Sequence, residues 1–144
     1  MAAFFKFQQF VEDLCKGIHD LDTHVLKVYL TNAAPDAAAD AVKADLAEIS
    51  GGNGYTAGGA TVSSVTVEHT TGTVKCVSGG ADPSWTASGG TIGPFRYAVL
   101  YNDTPTSPAD PLIGAWDYGS SITLQIGETF TVDLDGTNGI FTLA

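Results

Sequence analysis

A chain of 144 residues fits one domain and can bury about 70% of its unfolded surface, so no disulfide or metal staple is required. An apolar fraction of 44% with 15% charged residues excludes wholesale disorder, and 17 glycines among many Thr, Ser and Val favour β structure. A formal charge of −10 would repel a phosphate backbone or an anionic bilayer, so neither nucleic acid nor membrane is expected as a partner.

The first residues, Met1 to Gln9, interrupt an apolar start with Lys6 and turn polar at once, which argues against a signal peptide and a spanning helix and predicts cytoplasmic synthesis. Phe7, Phe10, Val11, Leu14, Ile18 and Leu21 then recur at spacings of three and four, with Gln8, Gln9, Glu12, Asp13 and Lys16 between them. That pattern predicts an amphipathic helix of about four turns within an N-terminal segment 1–24, weakened by Gly17. Its apolar stripe needs cover, from the domain's own sheet, the favoured choice, or from a neighbouring subunit. On the second choice Phe4, Phe5, Phe7, Phe10 and Leu14 are the interface candidates.

Residues 25–144 read as the β body. Val25–Leu30 is apolar on both faces, which suits a central strand. Thr31–Asp40 is a small-residue loop, and Ala41–Ile49 predicts a short helix with Val42, Leu46 and Ile49 inward. Gly51 to Gly59 lacks the G-x-G-x-x-G order and a downstream basic residue, so it reads as backbone at positive φ before a strand rather than a phosphate cradle. Thr61–His69 and Thr73–Ser78 flank Thr70-Thr71-Gly72 as a hairpin. Ser84–Ala87, Ile92–Tyr101, Leu112–Tyr118, Ser121–Ile126, Glu128–Asp135 and Gly139–Leu143 follow as strands, with Pro105, Pro108 and Pro111 marking an exposed connection. The expectation is a mainly β single domain: an antiparallel β-sandwich or flattened barrel of about eight strands with one N-terminal helix.

Chemistry-bearing groups are sparse. Cys15 and Cys76 are too few for a disulfide framework; they read as free thiols, with a disulfide as the alternative. His19 and His24 are five apart, which does not place two imidazoles on one helical face for zinc. Asp133, Asp135 and Asn138 superficially resemble a calcium loop, but the spacing departs from the EF-hand order and no bidentate Glu follows, leaving an Asx turn as the simpler reading. No nucleophile signature is present, so no enzyme activity and no cofactor are expected. Trp85, Tyr97, Tyr101, Trp116 and Tyr118 would make a sugar-stacking platform if several faced solvent together, and core or interface residues otherwise.

Several segments carry a resemblance: Phe7-Gln8-Gln9-Phe10-Val11-Glu12-Asp13-Leu14 with His19 after it, Gly52-Asn53-Gly54-Tyr55-Thr56-Ala57-Gly58-Gly59, Gly93 to Asp103, Pro111 to Ser121, and Thr129-Phe130-Thr131-Val132-Asp133. In order and wording they resemble a family of small tailed-bacteriophage and prophage virion structural proteins, across most of the chain. The resemblance implies a capsid decoration (cement) protein on the head surface, or a tail component as the alternative. It also implies the major capsid protein and further copies of the chain as partners, with a trimer as the expected homo-oligomer and the virion as the final location.

Overall fold

The computed structural model describes residues 3–143. It is mainly β: ten strands, β1 (Phe4–Lys6), β2 (Leu26–Thr31), β3 (Ala60–Thr61), β4 (Val65–Thr70), β5 (Thr73–Ser78), β6 (Ser84–Thr86), β7 (Ile92–Asn102), β8 (Leu112–Leu124), β9 (Thr129–Thr131) and β10 (Phe141–Leu143), and one helix, α1 (Gln8–Cys15), among the described residues. The strands form three antiparallel sheets, ordered β1-β8-β7-β2-β3, β10-β5-β4 and β6-β9, and no barrel closes.

The apolar alternation legible in β2 and β7 places both in the middle of the large sheet, where β2 pairs with β7 from Leu26↔Asn102 to Thr31↔Tyr97. Leu26, Val28, Leu30, Val99 and Leu100 are all fully buried there. The two small sheets cover this core through aromatic rings. Phe141 of β10 stacks on Phe4 and meets Phe10 edge-on, while Phe130 of β9 packs on Phe95 and Trp85. Each such pair adds on the order of 1 kcal/mol beyond the area it buries.

The expected hairpin is present: Thr70 faces Thr73, and the two-residue loop between them has φ of +29° at Thr71 and +80° at Gly72. Positive φ at both loop positions matches the strand twist, which is why Gly is found there. The glycine-rich stretch behaves as predicted. Gly59 sits at φ +79°, and a Cβ on it would lie 1.9 Å from the carbonyl oxygen of Val28.

Three expectations are corrected. The long N-terminal helix is a strand followed by a short helix: Phe4–Lys6 pairs with β8, from Phe4↔Trp116 to Lys6↔Gly114. The helix stops because Gly17 takes φ +77°. The Ile18 amide then bonds the Asp13 carbonyl at 2.9 Å and the Gly17 amide the Leu14 carbonyl at 3.2 Å, the double closure of a left-handed glycine C-cap. The predicted helix 41–49 is a single 3-10 turn, Lys43–Asp45, because the chain turns extended at Leu46 and then pairs with the end of β2, the Ile49 amide donating to the Leu30 carbonyl at 3.1 Å. Finally, the two strands predicted on either side of Gly119 are one, β8, bent by a bulge.

Candidate functional site

That bulge creates the most accessible aromatic feature of the described surface. Between the pairs Phe95↔Ile122 and Tyr97↔Asp117, β7 has one residue, Arg96, whereas β8 has four, Tyr118 to Ser121. The surplus is looped outward, with Gly119 at φ +101°, a conformation that a β-carbon would strain. The consequence is that Tyr118 is thrown clear of the sheet and remains 53% exposed. Its ring leans edge-on against Phe130, at 5.9 Å between centroids.

Arg96, opposite the bulge, holds this geometry. Its Nε and Nη2 donate to the two carboxylate oxygens of Asp117 at 2.7 and 2.9 Å, and Asp117 Oδ1 also accepts the Gly119 amide at 2.8 Å. The Arg96 guanidinium is the main reason the Asp117 carboxyl titrates below its ordinary range. Both partners are a little over a third exposed, so the fork fixes the turn more than it stabilises the fold. Together Arg96, Trp116, Tyr118, Phe130 and Asp133 border an open groove of about 330 Å³.

Of the other aromatic candidates, Trp85, Tyr101 and Trp116 are buried rather than on the surface, and Tyr97 is half-buried. Trp116 lies under Phe4, its ring 5.0 Å away, because β1 seats on β8. Trp85 is wedged between Tyr55 and Phe130 and Tyr101 is 1% exposed. The Tyr101 hydroxyl donates to the Gly58 carbonyl at 2.7 Å. It belongs to a half-buried clamp in which Glu48 Oε1 accepts both the Tyr55 hydroxyl and the Gly58 amide at 2.6 Å, and Lys43 pairs with Oε2. Burial raises both tyrosines far above the ordinary phenol range. With Trp85, Tyr101 and Trp116 covered and Tyr97 half-buried, Tyr118 alone of the five candidates is exposed, which leaves no exposed pair to stack on a sugar.

The N-terminal interface candidates divide. Phe7 and Phe10 are fully buried, and Phe4, Phe5 and Leu14 are half-buried against the same core, so this segment is part of the body rather than a free arm. Cys15 is exposed and Cys76 buried, and both are free, so the alternative of a bond between them within the chain is set aside. Burial pushes the Cys76 thiol up to about 12, which keeps it protonated and unreactive. Asp135 accepts the amides of Thr137 and Asn138 at 2.8 and 2.7 Å and the Asn138 side-chain amide at 2.8 Å, the Asx turn expected from its position.

Sequence spacing missed one cluster. Asn102, fully buried at the end of β7, donates its side-chain amide to Nδ1 of His19 at 3.1 Å and to Nδ1 of His24 at 2.9 Å, while its carbonyl oxygen accepts the Thr104 amide. An amide has two hydrogens, so both rings accept at Nδ1 and carry their proton on Nε2. Nothing in a five-residue spacing signals this, because the two histidines meet a residue some eighty positions away.

Comparison with known proteins found no matching family model, no curated relative and no similar solved structure.

Proposed function

We propose that this chain is a non-enzymatic bacteriophage virion structural protein of the capsid-decoration type, binding the outside of the head as a homo-oligomer. The observation that carries the reading is the bulge-built groove. A rigid, packed β body presents a single large aromatic side chain, Tyr118, beside Phe130 and a fixed Arg96–Asp117 pair. Exposed tyrosine and arginine next to an apolar wall are the residue types that anchor protein interfaces. The motif resemblance supplies the kind of partner, the major capsid protein, and the net charge of −10 favours solubility of the free subunit before assembly. The acidic surface also fits a protein that must not adhere to packaged nucleic acid.

Quantitative mass spectrometry of purified virions tests the proposal. The expected result is a copy number in fixed proportion to the major capsid protein. A few copies per particle, confined to isolated tails, would instead favour a tail or tail-completion component.

A further inference from the structure

The inner face of the β10-β5-β4 sheet is not filled by its own chain. Leu14 and Leu21 approach it from the N-terminal segment, and Val67, Val74, Phe141 and Leu143 form the sheet wall, enclosing a cleft of about 370 Å³. Pairing explains the wall: Val67, Cys76 and Phe141 lie in one cross-strand row, and Val74 and Leu143 in the next, so their side chains share a face.

Into this apolar lining the chain sets one polar group that it does not satisfy. His19 lines the cleft and is 6% exposed, and its Nε2 has no hydrogen-bond partner. The tautomer is fixed by Asn102, so Nε2 is an N–H donor. A buried donor left unpaired costs about 1–3 kcal/mol, and a bound acceptor that displaces the lining covering Nε2 in the free protein would recover it. Burial lowers His19 to about 4, so the ring is neutral at physiological pH. The only charged lining residues are Asp20 and Asp22, both exposed, which disfavours anions.

We infer that this cleft is a binding site for a small, uncharged, mainly apolar molecule carrying one hydrogen-bond acceptor, received by His19 Nε2–H. Its volume of about 370 Å³ has room for up to about twelve non-hydrogen atoms, at roughly the 30 Å³ that a water-sized group occupies in a liquid. An apolar cavity of this size with one convergent polar group has the composition of small-molecule sites generally. The inference goes beyond the virion reading and does not depend on it.

The test uses the isolated full-length protein and three probes of similar shape: acetophenone, which has a carbonyl acceptor, ethylbenzene, which has none, and benzoate, which is anionic. Titrations are followed by NMR of the Val67, Val74 and Leu143 methyls and of the histidine ring nitrogens. Acetophenone is expected to perturb these methyls and His19 Nε2, and to bind at least fivefold tighter than ethylbenzene and tenfold tighter than benzoate. In His19→Phe the preference for acetophenone over ethylbenzene should vanish. In Val74→Phe, which fills the cleft from a half-buried position, all binding should be lost while the melting transition is retained. Equal affinity for acetophenone and ethylbenzene in the unaltered protein would overturn the inference. So would methyls that respond to no probe, even if they respond to added phage particles, since the occupant would then be a protein.

Discussion

Replacing Phe10 by alanine is the sharpest test of the N-terminal segment's place in the core. Phe10 is fully buried, with its ring 5.6 Å from Phe141 and 5.0 Å from His19, so the substitution removes a complete aromatic side chain from the junction of α1, the β10 sheet and the histidine cluster. Phe→Ala at such a site costs about 3–5 kcal/mol, the lost transfer energy plus the cavity left behind. An unfolding entropy near 2.1 cal/mol/K per residue gives about 0.3 kcal/mol/K for a chain of this length, so the melting temperature should fall by about 10–16 °C. Calorimetry or circular dichroism of the isolated protein measures this. Leu14→Ala, at a half-buried position, should fall by less, and Val11→Ala, on the 46% exposed face of α1, by no more than a degree or two. A Phe10→Ala melting temperature within 2 °C of the unaltered protein, paired with weakened particle binding, would refute the core assignment and restore the docking arm.

Four further outcomes are expected. Gly59→Ala should lower stability by well over 2 kcal/mol in denaturant titrations, since its Cβ would meet the Val28 carbonyl, whereas Gly72→Ala, at φ +80° with open space, should cost only the ~1–2 kcal/mol of a left-handed backbone. His19 is held neutral in the fold at a value near 4 against 6.5 when unfolded, so between those values the unfolded chain binds more protons. Stability should therefore be full above pH 6.5 and decline by up to about 3 kcal/mol as pH falls to 4, a slope that His19→Gln should remove; Asp13, which raises His19, and His24, which lowers it, face the same ring. An aromatic disulfide reagent should label Cys15 in the native protein and reach Cys76 only on unfolding; labelling of both at equal rates would contradict the burial of β5. Tyr118→Ala should leave the melting temperature within about 2 °C while weakening attachment to particles at least tenfold in a sedimentation assay.

Local signals in the sequence were most informative where local physics decides the structure. Thr71-Gly72 specified its hairpin, the Gly51–Gly59 stretch its positive-φ turns, and Val25–Leu30 its central strand, because turn geometry and two-sided burial are written in neighbouring residues. The helix was overestimated because the stripe Phe7 to Leu21 continues in register past Gly17, and only the glycine's left-handed closure separates helix from turn. Phe4 and Phe5 lay upstream of that pattern with nothing to mark them as a strand, since β1 exists only by pairing with β8, over a hundred residues away. The same long-range pairing hid Trp116. The groove's cause, four residues of β8 against one of β7, is a register mismatch between strands, which neither strand shows alone.

The attachment proposed for this chain is to the head of a phage through the face carrying Tyr118. Cryo-EM reconstruction of the intact particle tests it most directly. Density for this β body is expected on the outer capsid surface at repeating lattice positions, with the bulge around Tyr118 and Arg96 turned toward the major capsid protein or a neighbouring copy. Density for the chain only in the tail, or on the head with Tyr118 facing open solvent, would contradict it.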